Sequence, residues 1–150
     1  IQAADLGVEA LGFENIVMVA APYHPLATKR RIRTVDLQGQ SILFSKVDCS
    51  YRRSFEQILA EAGVRIATPL VFHSVAALKQ CVAEGIGITI LPEMAVEQDL
   101  SAGKLVPLWW EEGPLEVSVL MIWFKERWLA PTLKAFMQTT RQELVVGNSK

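Results

Sequence analysis

The sequence predicts an α/β domain in which a buried sheet carries helices on its faces. Short apolar runs rich in β-branched residues alternate along the chain with segments whose apolar residues recur at helical spacing, which is typical of βα units. The runs at residues 16–21 and 41–44 contain no polar alternation, as expected of strands covered on both faces. Hydrophobic residues make up 51% of the 150 residues and charged residues 21%, so a packed core is expected.

The N-terminal third is predicted to contain three strands and one short helix. Residues 4–10 alternate between apolar and polar side chains, and the continuous apolar run 16–21 follows them. Prolines then interrupt regular structure, because proline fixes φ and lacks a backbone donor. Thr34 is the expected N-cap of a short helix, and residues 41–44 form the third strand.

Two helices are predicted in the middle of the chain, each with a glycine at its C-terminus. Residues 50–62 carry apolar side chains at helical spacing and precede Gly63. Ser74 is the expected N-cap of the second helix, which ends at Gly85. A strand over residues 64–72, irregular at its proline, separates the two helices, and a strand over residues 86–91 follows the second.

The C-terminal third is predicted to contain two further strands and a helix. The strands cover residues 105–109 and 117–124, and the helix begins at Pro131 or just before it. One face of this helix carries an apolar stripe made of Leu129, Leu133, Phe136, Met137, Thr140 and Leu144. A stripe of this size exposed to water predicts an interface, so we expect the chain not to be a stable isolated monomer: it either self-associates or is a fragment whose missing part was present when it folded.

Composition argues against nucleic-acid binding by this stretch and against a membrane span. The net charge is −1 and the pI is near 6.2, whereas a DNA-gripping surface is strongly basic. Mean hydropathy is +0.25, yet the longest apolar run, residues 16–22, is far shorter than the roughly 20 residues of a spanning helix. No secretory signal is recognised and two cysteines do not make a disulfide framework, so a cytoplasmic location is expected.

Three segments, in this order, resemble the effector-binding region of LysR-type transcriptional regulators. They are His24-Pro25-Leu26-Ala27 followed by Val35-Asp36-Leu37; Ser74-Val75-Ala76-Ala77-Leu78 followed by Val82-Ala83-Glu84-Gly85-Ile86-Gly87-Ile88 and Leu91-Pro92; and Leu129-Ala130-Pro131 with Phe136. Each segment alone is a weak pattern. Together they are specific, and they cover nearly the whole chain.

The resemblance implies a two-lobed fold like that of the type 2 periplasmic binding proteins, with an effector between lobes joined by two crossing strands. On this template the first lobe is only partly present, and the DNA-binding winged helix-turn-helix is absent. The second lobe is complete. The expected division is residues 1–21, part of the first lobe and a crossover strand; 22–116, the second lobe; 117–144, the return strand and final helix; and 145–150, a tail.

The resemblance also implies partners. These are a small-molecule effector, a second copy of the chain in a dimer, or a tetramer of the full-length protein, and DNA through an N-terminal domain outside this stretch. No membrane partner is expected.

The first candidate site is the segment that joins a buried strand to a helix at residues 45–52. Ligands bind at the carboxyl ends of strands in α/β sheets, and a helix N-terminus favours an anion. The candidate effector-binding residues here are Ser45, Lys46, Cys49, Ser50 and Arg52. The alternative is that Ser50 only caps the helix while the cations are surface residues.

The second candidate site is the start of the following helix, at His73 and Ser74. By the same reasoning it lies at the same edge of the sheet. Ser74 is placed to cap the helix and to donate to a ligand. His73 is alternatively a packed or surface residue, as a lone histidine beside a helix start commonly is.

Cys49 offers a different function, because a thiol at a helix N-terminus flanked by Lys46 and Arg52 has the setting of a reactive cysteine. It lies at about the position of the reactive cysteine in the peroxide-sensing member of the resembled family. However, the resolving cysteine of that sensor has no counterpart at residues 55–59, and Cys81 is expected to fill the core. A thiol-based oxidant sensor is therefore kept as an alternative.

Enzyme motifs are missing from the sequence. It contains no Gly-x-Ser-x-Gly elbow, no phosphate-binding Gly-x-x-x-x-Gly-Lys loop and no metal-ligand spacing. We therefore expect no catalytic residue, metal or cofactor. The sequence predicts the ligand-sensing domain of a bacterial LysR-type regulator that responds to a small anionic metabolite. The remaining alternative is the solute-binding protein of a transporter, which has the same two-lobed fold.

Overall fold

The computed structural model describes residues 5–45, 50–67, 69–125 and 130–147, with side chains up to residue 144. The chain divides into two compact units, one made of Ile1–Glu14 with Val117–Lys150 and the other of Asn15–Glu116. The sequence division placed the first boundary after residue 21. In the structure the second unit begins earlier because residues 16–20 pair with strands of that unit.

The unit Asn15–Glu116 is built on a sheet of mixed direction. Its strands, in spatial order, are β3 (Leu70–Phe72), β2 (Ile42–Ser45), β4 (Ile88–Pro92), the second half of β1 (Leu6–Ala20) and β5 (Val106–Leu108). Strand β2 is parallel to β3 and β4, whereas β1 is antiparallel to β4 and β5. All four residues of β2 and the first four of β4 are buried, as expected for strands covered on both faces.

Helices of this unit pack on opposite faces of the sheet. Helix α1 (Ser50–Glu61) packs against Phe44 through the ring of Phe55. Leu43, the neighbouring residue of β2, instead joins a core cluster with residues of α2 (Val75–Ala83) and α3 (Glu93–Ser101). Because successive side chains of a strand point to opposite faces, α1 covers one face and α2 and α3 cover the other.

Several predicted elements are confirmed, and others are corrected. Helices α1 and α2 end where Gly63 and Gly85 adopt φ angles of +65° and +76°, as predicted. The two predicted strands 4–10 and 16–21 are one continuous strand, β1, and the predicted strand 64–72 is reduced to β3. Helix α3 was not predicted, because only Val96 of its residues is buried and its apolar periodicity is correspondingly weak.

Thr34 was wrongly predicted to cap a helix. The 3₁₀ helix Thr34–Leu37 has Arg33 at its N-cap position, and the Arg33 N–H donates to Asp36 Oδ2 at 2.8 Å. Thr34 is buried, its N–H donates to the Glu112 carboxylate, and its Oγ1 accepts a hydrogen bond from Trp110 Nε1. The Thr34 hydroxyl therefore takes part in a long-range hydrogen bond instead of the helix cap that the local sequence predicts.

The other unit contains the first half of β1, strand β6 (Leu115–Phe124) and helix α4 (Pro131–Gly147). Strand β6 pairs with β1, and Arg141 of α4 forms a two-pronged ion pair with Glu9, at 2.7 Å and 2.8 Å. This pairing lowers the pKa of Glu9. Met137 of the predicted stripe is buried, whereas Leu133, Phe136 and Leu144 are 43%, 65% and 40% exposed. Leu129 lies outside the described residues.

None of the helices in the described ranges is long and apolar enough to cross a membrane.

His24 explains why the His-Pro-Leu-Ala segment is structured. It is the N-cap of the 3₁₀ helix Pro25–Thr28, and its Nδ1 accepts a hydrogen bond from the Leu26 N–H at 3.2 Å. The side chain is buried, and burial lowers its pKa below the ordinary value of 6.5. Only the neutral imidazole can accept this bond.

We expect the His24→Asn variant to lose part of the acid sensitivity of folding. A histidine whose pKa is lowered in the folded state contributes stability that is fully present above about pH 6.5 and is lost as the pH falls through the folded-state pKa. Asparagine keeps an acceptor at the cap but does not titrate. Urea denaturation between pH 5 and pH 7.5 should show a flatter stability profile for His24→Asn. The matched control, His73→Asn at an exposed position, should keep the wild-type profile, and equal profiles for wild type and His24→Asn would contradict the assignment.

Candidate functional site

Strands β2 and β3 end side by side at one edge of the sheet. Ser45, the last residue of β2, lies in register with Phe72, the last residue of β3, and the two strands are parallel. His73 and Ser74 follow Phe72 directly, and α1 begins at Ser50. The helices that follow these parallel strands therefore begin at the carboxyl edge, where α/β sheets bind ligands.

Ser74 is the N-cap of α2, as predicted. Its side-chain oxygen accepts a hydrogen bond from the Ala77 N–H at 3.3 Å. The N–H groups of Val75 and Ala76, also in the first turn, have no intrahelical acceptor, as in any helix. His73 and Ser74 are both exposed. This helix start can therefore offer backbone donors and a partial positive charge to an anion.

Arg52 lies in the first turn of α1 and is fixed by two contacts. Its Nε donates to Glu56 Oε1 at 2.9 Å, one helical turn ahead, and its guanidinium carbon lies 4.5 Å from the centroid of the Phe44 ring. The arginine side chain is 24% exposed. Because the bond to Glu56 uses Nε, the terminal nitrogens can donate elsewhere. The guanidinium is thus held in place near the carboxyl end of β2.

Three aromatic residues extend inward from this arginine, and we call them the aromatic row. Phe44 and Phe55 meet edge to face with ring centroids 6.2 Å apart, and Phe55 and Trp110 meet in the same way at 5.4 Å. Phe55 is fully buried. Edge-to-face pairs are favoured by the quadrupoles of the rings. The row was not predicted, because its members are distant in sequence.

The predicted site residues within the described ranges lie at one edge of the sheet but on different faces of it. Ser45 shares its face with Leu43 and hence with α2, whereas Arg52 lies over Phe44 on the α1 face. Ser45 is 9% exposed and Ser50 is exposed. Lys46 and Cys49 lie outside the described residues. A ligand touching both helix starts must therefore bind at the edge itself.

A second feature, not predicted from sequence, is a cavity of about 310 Å³ within the unit Asn15–Glu116. It lies against the C-terminal half of β1, β5 and the segment after β5, with Trp109 and Trp110 among its walls. The available sequence signal was the pair of adjacent tryptophans, which two glutamates and a glycine follow. Among the described residues, no group of three or more His, Cys, Asp or Glu could hold a metal ion.

Comparison with known proteins identifies the family. The model of the LysR substrate binding domain matches residues 2–145. The uncharacterized HTH-type transcriptional regulator YwqM of Bacillus subtilis is 40% identical over 137 residues, which are 91% of this chain and 46% of that protein. This chain therefore spans about half the length of the curated relatives it matches.

Solved structures show the same fold at low identity. The regulatory domain of Synechocystis CcmR in complex with 2-PG aligns with a TM-score of 0.81 and 20% identity, covering 97% of this chain and 68% of that one. The effector binding domain of QuiR in complex with shikimate aligns with a TM-score of 0.76 and 22% identity, covering 95% and 66%. This protein chain belongs to the LysR substrate binding domain family, and the family and fold class predicted from the three sequence segments are confirmed.

Proposed function

We propose that this chain is the ligand-sensing part of a LysR-type transcriptional regulator and that it binds a small anionic metabolite at the carboxyl edge of β2 and β3. One observation carries the proposal. Two parallel strands end in register at this edge, and the helices that follow them begin there, with Arg52 in the first turn of one of them. Family membership supplies the regulatory context.

The chemistry of this edge favours an anion. Helix starts contribute partial positive charge and unpaired N–H groups, and they attract carboxylate or phosphate. A guanidinium can add two parallel hydrogen bonds to either group. CcmR and QuiR, which share the fold, have been solved with small ligands, and shikimate, the ligand of QuiR, is a carboxylate. We therefore propose that the present chain also binds a small molecule that carries a carboxylate or phosphate group.

Regulation follows from differential binding. A ligand shifts a conformational equilibrium only as far as it binds one state more tightly than the other. DNA contact is assigned to another part of such a regulator, because this stretch has a net charge of −1. We propose a cytoplasmic homodimer that has no catalytic activity.

The oxidant-sensor alternative gains no support from the described residues. Cys81 packs against the core cluster of the α2 face and is only partly exposed, which fits a filling residue. Cys49, the residue on which that alternative depends, lies outside the described ranges.

Arg52→Gln is the variant that tests this site. We expect at least about tenfold weaker binding of the most tightly bound member of a panel of small carboxylates and phosphates, because a charge-assisted hydrogen bond contributes about 1.5–3 kcal/mol. Isothermal titration calorimetry measures the Kd. Arg53→Gln, one residue along the same helix and exposed, is the matched control and should bind like wild type. Equal affinities for wild type and Arg52→Gln would reject the site.

A further inference from the structure

We infer that the cavity beside Trp109 and Trp110 is a second ligand site, and that it takes a small organic ammonium ion with a single-ring apolar body. The cavity is separate from the proposed anion site and of opposite charge preference. Its described lining residues are Asn15, Ile16, Val17, Met18, Glu93, Leu100, Pro107, Leu108, Trp109, Trp110, Gly113 and Pro114.

The size and the walls of the cavity suit a ring. Most of its lining residues are apolar, and its volume of about 310 Å³ falls at the lower end of ordinary ligand pockets. A dry engineered cavity of roughly 150 Å³ is enough to bind benzene. The available space therefore accommodates one aromatic ring with a short substituent.

The negative charge of the cavity lining favours a positively charged ligand. Glu93 is the one charged residue among its described lining residues, and it is exposed. The only hydrogen bond shown for its carboxylate in the described structure comes from the Asn15 amide, with 3.4 Å between Nδ2 and Oε2. Glu93 is the first residue of α3, so the helix N-terminus offsets part of its charge, but no cationic side chain pairs with it in the described structure. An ammonium group can supply the missing charge-assisted bond.

The tryptophans strengthen the same preference. Indole faces attract cations, modestly at exposed sites and more strongly where water is excluded. Trp109 is 69% exposed and so presents a large apolar surface to solvent at the cavity. Lys29, Arg30 and Arg31 line a neighbouring hollow that shares Pro107 and Trp109 with this cavity, but none of the three lines the cavity itself. An ammonium ligand therefore finds one carboxylate and two indoles in the same place.

One wall of the cavity is held by contacts within the protein that need no ligand. Trp110 donates from Nε1 to Thr34 Oγ1 at 3.1 Å, and its ring and that of Phe55 form a T-shaped pair. Gly113 lies so close to its ring that an added Cβ would be 2.8 Å from Cε3. A wall fixed in this way costs little conformational entropy on binding.

The test uses three probes of matched size, namely benzylammonium, benzyl alcohol and phenylacetate, titrated into the chain and followed by the indole N–H signals in ¹H–¹⁵N NMR spectra. We expect saturable shifts of the Trp109 and Trp110 signals with benzylammonium, and affinity falling in the order of ammonium, alcohol and carboxylate. Equal affinity for the three probes, or no saturable shift of either signal with benzylammonium, would overturn the site.

Glu93→Gln isolates the carboxylate. We expect benzylammonium to bind about fivefold more weakly to this variant, since a charge-assisted hydrogen bond is roughly twice as strong as a neutral one, while benzyl alcohol should bind as before. Glu97→Gln, on the same helix but outside the cavity, is the matched control. An unchanged benzylammonium affinity in Glu93→Gln would refute the proposal. Loss of anion binding in Arg52→Gln is measured separately, so the two sites can fail independently.

Discussion

Replacing Phe55 with alanine is expected to lower the free energy of unfolding by about 3–5 kcal/mol, as for other fully buried phenylalanines. Phe55 is 0% exposed and forms T-shaped ring pairs with both Phe44 and Trp110. Among the described residues of α1, only Phe55 and Leu59 are buried. Removing this ring therefore leaves a cavity beneath the helix and weakens its attachment to the sheet.

Urea denaturation followed by circular dichroism and by tryptophan fluorescence measures this loss. Met94→Ala is a suitable control, because Met94 is 74% exposed and an exposed truncation into a helix-favouring residue should change stability by less than about 0.5 kcal/mol. A loss of less than about 1 kcal/mol in Phe55→Ala would mean that the aromatic row is not packed as described.

Gly87→Ala is expected to be nearly as damaging, with a loss of about 3 kcal/mol or more, because overpacking against backbone cannot be relieved by moving a side chain. A Cβ at this position would lie 2.3 Å from the Ser41 carbonyl oxygen and 2.8 Å from Leu43 Cδ1. The Ser41 oxygen is itself held by a hydrogen bond from the Ile88 N–H at 3.0 Å. The alanine would therefore push β2 away from β4.

Gly103→Ala separates lack of space from backbone strain. Gly103 has a φ of +65°, but nothing lies within 4 Å of an added Cβ, so this variant should lose only about 1 kcal/mol for the left-handed backbone. Thermal and urea denaturation of both variants give the comparison. Similar losses at the two positions would show that β2 and β4 do not approach each other this closely.

Local signals explain which elements could be predicted from sequence. Helix α2 was predicted at both ends because Ser74 can cap and Gly85 can adopt a positive φ, and neither property depends on the rest of the fold. Gly87 belongs to the same recognisable segment, and its space requirement explains the choice of glycine. Thr34 failed as a predicted cap because its hydroxyl pairs with Trp110, 76 residues away.

Sequence could predict which edge of the sheet holds the candidate site, because that follows from the topology, but not how its side chains are arranged. Parallel strands end at one edge, so residues that follow β2 and β3 had to come together there, and Ser45 and Phe72 do lie in register. This rule covers only part of the cavity. Glu93 follows β4, which is parallel to β2 and therefore ends at the same edge, but no periodicity or cap in the sequence relates Glu93 to the segment that holds Trp110.

The aromatic row has a thermodynamic consequence. Its first ring, Phe44, supports the Arg52 guanidinium, and its last, Trp110, is a wall of the cavity. If an ammonium ion at the cavity alters the affinity for an anion at the sheet edge, the anion must alter the affinity for the ammonium by the same factor. Such a domain would respond to the joint presence of two metabolites. Titrating each probe at saturation of the other would measure the coupling free energy between the two sites.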